Sequence, residues 1–402
     1  MARSNRRTSS SSAPVRNSAL LPWYDLQILE QAKGYGGFYN AHAHIDRAET
    51  LEEDYLRHYG TTPLDASSLP LSVKQNLVGN LHLGKGYTRE DLIERMSRVI
   101  ERQIAFGVTR LDTNIDATPD LPEDGLLAVK VALELKRKFA GRIAIRIAPT
   151  PIFGFKKDSH DKHDRWEVFK RAAEMCDYLS LLPEKDDYST ETARDGKVGF
   201  KHHIRMGVEL ACTLGKEVQF HLDQMNVEGE RGTERMLEML EGLDLPFVKG
   251  ADGQPTVWII HMISPSAYEE SRFARLVEQL LRLGVGVIVC PSAALSMRQL
   301  RSLSSPLHNS IARVPELIKS RIPLRIGTDN INDVFVPASD GDMLTEIKMG
   351  AQATRLYHPS IWAKLASGTP LNNVDIATVG RILHEDRKAC IGANPGWKPA
   401  ID

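Results

Sequence analysis

Short apolar runs alternate with longer amphipathic segments along the chain from Gly36 onward. Continuous apolar runs of a few residues are typical of buried strands, and apolar positions spaced by three and four are typical of helices. Such alternation predicts βα units around a parallel sheet. The pattern predicts eight strands, at residues 36–46, 108–116, 142–151, 178–183, 217–223, 256–262, 285–293 and 323–329.

The segments between these strands carry the signals of helix starts and ends. Thr88 and Asp91 form a capping-box pattern that opens an amphipathic segment. Glycine stands where helices must end before the next strand, at Gly107, Gly141, Gly215 and Gly284. Eight successive βα units predict an α/β fold of the (β/α)8 TIM-barrel type, with an open doubly wound sheet as the alternative.

The chain divides into a short tail and one large domain. Residues 1–17 are basic, rich in serine and free of acidic side chains, which predicts a disordered tail rather than a transit peptide. Residues 18–402 are predicted to form the barrel. Its first βα connection, 47–87, is long enough to act as a lid or substrate loop over the barrel mouth.

Composition restricts the class of function. Hydrophobic residues make up 42% and charged residues 26%, which is ordinary for a globular enzyme. The net charge of −1 gives no reason to expect nucleic acid or a membrane as a partner, so a small-molecule substrate is expected and a homo-oligomer is left open. The four cysteines show no paired spacing, which argues against disulfides and favours a cytoplasmic location.

Polar side chains that could bind a metal stand at the ends of four predicted strands. His42 and His44 are two residues apart in the first strand, so both imidazoles point to the same side. His221, His261 and Asp329 end three later strands. The carboxyl ends of barrel strands meet at one rim, where barrel enzymes have their active sites. Imidazoles and a carboxylate suit Zn²⁺ or Fe²⁺, and the alternative is a set of unrelated core histidines with local partners.

Such a site could hydrolyse a C–N bond. A divalent metal ion lowers the pKa of coordinated water toward 7, roughly the pH of the cell. Asp329, next to that water, can accept its proton and deliver it to the leaving nitrogen. His261 can stabilise the oxygen that becomes negative during the attack.

Five motifs follow one another along most of the chain: NAHAHIDR (40–47), FHLDQ (220–224), IIHMISPSAYEE (259–270), VCPSAALSM (289–297) and GTDNINDVFVPASDGDML (327–344). In this order they resemble the amidohydrolase superfamily, in the branch of cytosine deaminase and N-isopropylammelide hydrolase. The resemblance runs from about residue 36 to 350.

The resemblance implies roles for individual residues. His42, His44, His221 and Asp329 match the metal ligands, and His261 matches the histidine that positions or polarises the attacking hydroxide. The fourth strand has no lysine for the bridging carbamate of two-metal members, so one divalent ion per chain, zinc or iron, is expected. The accessory β-sandwich of the family is expected to be reduced or absent.

One position departs from the family. Deaminases of this branch carry a glutamate three residues after the fifth-strand histidine, and Gln224 stands there instead. An amide can orient a substrate but cannot shuttle a proton at neutral pH. Asp223 or Glu184 could take over that task, although the acidic run 184–187 otherwise resembles a solvated loop.

Other polar residues have less specific surroundings. Asn330 and Asp333 could bind the polar edge of a substrate, together with Gln224, or could cap their own loop. The polar residues that alternate at the end of the second strand, Asp112, Asn114 and Asp116, are expected to be loop and cap residues. His202 and His203, within a later predicted helix, are expected at the surface.

Three functions remain. The first is a metal-dependent hydrolase that releases ammonia or an amine from a small cyclic nitrogenous compound. The second is a hydrolase that opens a cyclic amide. The third is a catalytically inactive barrel used for binding, against which the intact set of four candidate ligands argues.

Overall fold

The computed structural model describes residues 20–56, 60–190, 192, 194–243, 253–297 and 311–393. The tail predicted at residues 1–17 lies outside these ranges. Within them, no helix is both long and apolar enough to cross a membrane.

Eight strands lie within the predicted segments. They form two parallel sheets, one of the first three strands and one of the last five, each with its strands in chain order. The strands are β1 (Phe38–Ala43), β2 (Val108–Asp116), β3 (Ala144–Thr150), β4 (Leu179–Leu181), β5 (Val218–Leu222), β6 (Val257–His261), β7 (Gly286–Val289) and β8 (Leu324–Ile326).

Backbone hydrogen bonds join the edges of the two sheets. Between β8 and β1, the Asp329 N–H donates to the His42 carbonyl at 2.9 Å, and the His44 N–H donates to the Asp329 carbonyl at 3.2 Å. Between β3 and β4, the Asp177 N–H donates to the Ile147 carbonyl at 2.8 Å. The strands therefore follow one another around a (β/α)8 barrel, and the predicted fold class is confirmed. Every strand of the described residues belongs to these sheets.

Helices connect the strands. The connection after β1, predicted as one long loop, contains three helices and a 3₁₀ turn (Lys85–Tyr87) before the first barrel helix, α5. The helices are α1 (Trp23–Gly34), α2 (Glu53–Leu56), α3 (Pro63–Ser67), α4 (Leu71–His82), α5 (Arg89–Ala105), α6 (Pro122–Gly125), α7 (Leu127–Lys138), α8 (Arg165–Met175), α9 (Phe200–Leu214), α10 (Gly232–Glu241), α11 (Glu270–Leu283), α12 (Pro291–Ser296), α13 (Val314–Lys319), α14 (Met343–Thr354), α15 (Pro359–Ala366) and α16 (Asn373–Ala393).

The predicted helix signals have direct structural counterparts. The Thr88 side chain accepts a hydrogen bond from the Asp91 N–H at 3.3 Å at the start of α5. The four predicted stop glycines all have positive φ angles, between 63° and 86°, which favour residues without a Cβ. Successive residues of β6 and β7 alternate between two apolar clusters, as expected for strands buried on both faces.

His82 ties α4 to the end of β2. Its Nδ1 lies 2.6 Å from Oδ2 of Asp120, and its Nε2 lies 3.1 Å from Oδ2 of Asp116. Burial alone would lower the pKa of His82, but the contacts with Asp116 and Asp120 raise it to about 9. A protonated imidazole between two carboxylates therefore holds the first βα connection against the barrel at neutral pH.

This contact predicts a pH dependence of stability. The pKa of His82 is raised from 6.5 to about 9, so its contribution to the free energy of unfolding is full below about pH 6.5 and is lost as the pH rises through about 9. A shift of this size corresponds to about 3 kcal/mol. We expect His82→Gln to be less stable than the wild type at about pH 6, by a margin that shrinks toward about pH 9.5 in urea titrations.

A matched control is His160→Gln, because His160 is exposed. Its stability relative to the wild type should not vary with pH over the same range. A pH-independent deficit for His82→Gln would mean that folding does not shift the pKa of His82.

Candidate metal centre

The five candidate metal and catalytic side chains meet at one rim of the barrel. His42 lies in β1 and His44 directly after it, His221 lies in β5, His261 ends β6, and Asp329 follows β8. None of these residues is more than 5% exposed. The structure therefore brings together, at the carboxyl ends of four strands, residues that are separated by up to 287 positions (329 − 42) in the chain.

Asp329 lies at the centre of the group. Its Oδ1 is 3.2 Å from Nε2 of His42 and 3.3 Å from Nε2 of His44. Its Oδ2 is 3.9 Å from Nε2 of His261. His221 reaches the group through Nε2, which is 3.3 Å from Nε2 of His42. Two sets of three residues have ligand atoms within 4.8 Å of one another: His42, His221 and His261, and His42, His44 and Asp329.

The backbone holds two of these residues in unusual conformations. His261 has a φ angle of 81° and Asp329 one of 57°, both in the left-handed region. For residues with a Cβ this region is sparsely populated, and it persists only where surrounding contacts impose it. At the same seam, a Cβ added to Gly327 would lie 2.6 Å from the carbonyl oxygen of His42. The close approach of β8 to β1 that aligns Asp329 with the histidines therefore requires glycine.

Burial and mutual contact set the charges of the group. Burial alone would raise the pKa of Asp329, but contacts with His42 and His44 hold it well below its usual range. Burial lowers the pKa of His261 to about 4. Burial and the neighbouring imidazoles also hold the pKa of His221 well below its usual value. At neutral pH these two imidazoles are uncharged, the form that binds metal ions, and Asp329 is ionised.

Polar side chains lie behind two of the imidazoles. Nδ2 of Asn114 is 3.3 Å from Nδ1 of His42 and donates to Oγ of Ser180 at 2.8 Å. Oγ of Ser180 lies 3.4 Å from Nδ1 of His221, and the Tyr178 hydroxyl donates to Asn114 at 2.7 Å. The Ser180 hydroxyl can accept from Nδ1 of His221, as partners of metal-binding histidines do, whereas the Asn114 amide nitrogen can only donate to Nδ1 of His42.

The expectation that the polar residues of the second strand are loop and cap residues is wrong. Asp112, Asn114 and Asp116 all lie within β2 and are buried. Polar residues in alternation are typical of loops, since charged side chains are rare in buried strands. Here each polar side chain has a buried hydrogen-bond partner that stabilises it within the strand. Asp112, for example, accepts a hydrogen bond from the Tyr39 hydroxyl at 2.7 Å.

Arg47 contacts the outer ring nitrogen of His44, with Nη2 2.5 Å from Nδ1. Burial and this guanidinium lower the pKa of His44 to about 3. A guanidinium can only donate, so Nδ1 accepts and the neutral ring carries its proton on Nε2, the nitrogen that faces Asp329. A metal ion could bind Nε2 of His44 only if that proton is lost or Arg47 moves away.

The rim opens into a cavity. A pocket of about 30 Å³ is lined by several side chains of the group and by two of the predicted substrate-binding residues: His44, His221, His261, Asp329, Gln224 and Asn330. It adjoins a cavity of about 1690 Å³, whose wall also includes Gln75, His221 and Gln224. The first βα connection contributes Gln75 from α4, so part of that connection covers the barrel mouth.

The third predicted substrate-binding residue has local partners. One carboxylate oxygen of Asp333 accepts hydrogen bonds from the N–H groups of Phe335 at 2.8 Å and Val336 at 3.1 Å. Its other oxygen accepts from the Asn330 side chain at 2.5 Å. The structure thus uses Asp333 to shape the loop after β8, and a contact with substrate remains a prediction.

Three carboxylates form a second group beside the cavity: Glu184, Asp223 and Glu230, with ligand atoms within 4.8 Å of one another. Asp223 accepts hydrogen bonds from the first N–H groups of α10, Gly232 at 2.7 Å and Thr233 at 3.0 Å. Burial and the neighbouring Glu230 raise the pKa of Glu184 well above its usual value, and burial raises that of Glu230 to about 7. Glu184 and Glu230 line the cavity.

The interpretation of residues 184–187 as a solvated loop is therefore wrong, and so is the surface position expected for His203. The segment Pro183–Asp186 forms a 3₁₀ turn in the cavity wall. Asp186 is buried and lies 2.7 Å from Nδ1 of His203, which is also buried. Only long-range contacts reveal these partners. Glu230 and Gln75, which no sequence pattern indicates, likewise stand in no recognisable motif.

No family model matches the chain. An uncharacterized protein of Haemophilus influenzae is 26% identical over 283 residues, which cover 70% of this chain and 91% of that protein.

Solved structures share the fold. The structure of 5-methylcytosine deaminase from Klebsiella pneumoniae with phosphonocytosine has a TM-score of 0.65 and 21% identity, covering 86% of this chain and 82% of that chain. N-isopropylammelide isopropylaminohydrolase from Burkholderia multivorans has a TM-score of 0.59 and 18% identity, covering 86% and 74%. Guanine deaminase from C. acetobutylicum has a TM-score of 0.53 and 11% identity, covering 83% and 72%. The chain thus has the fold of amidohydrolase-superfamily barrels, and the predicted resemblance is confirmed for the fold.

Proposed function

We propose that this protein is a metal-dependent hydrolase that cleaves a C–N bond in a small cyclic nitrogenous compound, by deamination or release of an amine. The observation that carries the proposal is the convergence of His42, His44, His221 and Asp329, with His261 beside them, at one buried rim. The names of the compared enzymes, deaminases of 5-methylcytosine and guanine and an N-isopropylammelide hydrolase, support this class of substrate.

The donor set fits one divalent ion. Imidazoles and one carboxylate are the ligands that Zn²⁺ and Fe²⁺ prefer. His42, His221 and Asp329 would supply them directly, and His44 would join them once Arg47 moves away from its Nδ1. Bound there, the ion would act as a Lewis acid that makes water nucleophilic at neutral pH. Two features of the site favour metal binding: burial lowers the pKa of His221, and contacts with His42 and His44 lower the pKa of Asp329.

The side chains of the rim have distinct tasks in this proposal. Asp329 accepts the proton of the attacking water and passes it to the leaving nitrogen. His261, 3.9 Å from Asp329 on the side of Oδ2, stabilises the negative charge that develops on the attacked group. Gln224 and Asn330 line the same pocket and bind the polar edge of the ring through their amides.

Gln224 also favours a second candidate, a hydrolase that opens a cyclic amide. Ring opening requires one proton on the leaving nitrogen, which Asp329 can deliver, whereas deamination of a heterocycle also requires protonation of a ring nitrogen. Glu184 is the better candidate for that second proton. It lines the cavity, whereas both oxygens of Asp223 accept hydrogen bonds from α10.

The test combines metal analysis with product analysis. We expect about one zinc or iron per chain in the wild type, a reduced content in His44→Ala and His221→Ala, and a retained content with lost turnover in His261→Ala. Ammonia or amine release from pyrimidines, triazines and cyclic amides, with ring opening followed by mass spectrometry, separates the two reactions. A metal-free and inert wild type would refute both and leave a barrel used for binding.

A further inference from the structure

The wall of the large cavity carries several cationic side chains. Within the described residues they are Lys156, Arg165, Lys185, Lys197, Arg231 and Arg235. Four of them have a carboxylate partner: Lys156 with Asp195 at 2.7 Å, Arg165 with Asp161 at 2.6 Å, Arg231 with Glu234 at 2.9 Å and Arg235 with Asp187 at 2.5 Å. Such pairs are electrically neutral and provide no free cation for a ligand.

Lys185 and Lys197 differ from the other four. Nζ of Lys185 donates to Oε1 of Gln75 at 3.2 Å, and Nζ of Lys197 donates to the carbonyl oxygen of Asp187 at 2.8 Å. In the part of the chain that the structure describes, neither ammonium group forms an ion pair within 4.0 Å. Each ammonium has three N–H donors, so each retains donors for a ligand.

The two ammonium groups also influence each other. Burial and the nearby charge of Lys197 lower the pKa of Lys185 to about 8. Asp186, next in the chain, offsets this effect only in part, and its carboxylate accepts hydrogen bonds from the Phe155 N–H and from His203 rather than from Lys185. A negatively charged group between the two lysines would relieve their repulsion.

The nearby acids do not cancel this positive charge. Burial and the neighbouring Glu230 raise the pKa of Glu184 well above its usual value, which weakens its negative charge. Burial likewise raises the pKa of Glu230 to about 7. An anion entering the cavity therefore meets two ammonium groups without an ion-pair partner and two acids whose pKa values are raised.

Gln75 connects this part of the wall with the metal centre. The side chain that accepts from Lys185 also lines the 30 Å³ pocket together with His44, His221 and Asp329. A ligand that contacts Lys185 is therefore separated by one side chain from the pocket in which the C–N bond would be cleaved.

We propose that Lys185 and Lys197 form a subsite for a carboxylate of the substrate, which would accordingly be a nitrogen-containing ring with a carboxylate substituent. The position of the ring at the rim rests on the proposed function, but the subsite itself rests on the cavity wall alone.

The experiment measures binding by isothermal titration calorimetry to the metal-loaded wild type, with ring compounds that differ only in the carboxylate. Suitable pairs are orotate with uracil and 5-carboxycytosine with cytosine. We expect the carboxylated member of a pair to bind about tenfold or more tightly, because ammonium groups donate charge-assisted hydrogen bonds to a carboxylate. Lys185→Met should reduce this preference about tenfold.

Lys156→Met is the matched control, because Lys156 lines the same cavity but is paired with Asp195. It should leave the preference unchanged. Lys197→Met provides an independent second variant should Lys185→Met fail to fold. Equal affinity within each pair, no binding of either carboxylated compound, or an equal loss in the Lys156 variant would overturn the proposal.

The two proposals can fail separately. A carboxylate preference that depends on Lys185 in a protein without stoichiometric metal would refute the hydrolase and retain the subsite. Stoichiometric metal with release of amine from neutral rings only would retain the hydrolase and refute the subsite.

Discussion

Replacing Asp329 by asparagine is expected to lower the turnover number about a thousandfold while the barrel stays folded. The turnover is measured with whichever pyrimidine, triazine or cyclic amide the wild type hydrolyses fastest. Asparagine keeps the shape of the side chain, but an amide cannot accept a proton at neutral pH. Asp329 lies 3.2 Å from Nε2 of His42 and faces His261 with its other oxygen, so the substitution removes the negative charge from the centre of the rim. Steady-state kinetics on purified variants measures the effect.

Asp340→Asn is the matched control, because Asp340 is an exposed carboxylate in the segment between β8 and α14. Its turnover should stay within about twofold of the wild type, as for most surface substitutions. Metal content is measured in both variants, since loss of the ion would also lower turnover. An Asp329→Asn protein with wild-type metal content and wild-type turnover would show that another group transfers the proton.

Removal of the metal ion by a chelator is expected to abolish turnover and to lower the melting temperature by about 5 °C. An ion that binds only the folded chain, present at a hundredfold excess over its Kd, stabilises it by about 3 kcal/mol. Differential scanning calorimetry with and without chelator, followed by addition of zinc or iron, measures both the loss and its reversal.

His42→Ala should make the melting temperature insensitive to the chelator. His42 is fully buried and lies within 3.3 Å of both Asp329 and His221. It is the residue common to both sets of three candidate ligands, so its loss disrupts both sets. His202→Ala, at an exposed position of α9, is the control and should respond like the wild type. An equal response of the His42 variant would place the stabilising ion elsewhere in the molecule.

Much of the fold could be predicted from local pattern. Each strand is a short apolar run, and each predicted stop glycine has a left-handed backbone that ends a helix. The rim residues were recognisable for the same reason. A histidine or aspartate that ends a buried run must lie at the carboxyl end of a strand, and in a barrel these ends meet.

Predictions failed where charged residues had distant partners. The run 184–187 is as polar as a surface loop, but Asp186 is buried against His203, and Glu184 lies in the cavity wall next to Glu230. The polarity of a sequence segment shows only that its side chains need a polar environment. It does not record whether water or another part of the chain provides that environment.

The order of the strands, the ends of the helices and the five polar residues at the barrel rim can be predicted from local pattern, because each depends on neighbours within a few positions. The groups that surround these residues depend instead on how distant segments pack together. Asn114 behind His42, Ser180 behind His221 and Gln75 between Lys185 and the pocket are contacts between segments far apart in the chain. Such contacts arise from how the barrel closes and its loops pack, and no local periodicity encodes them.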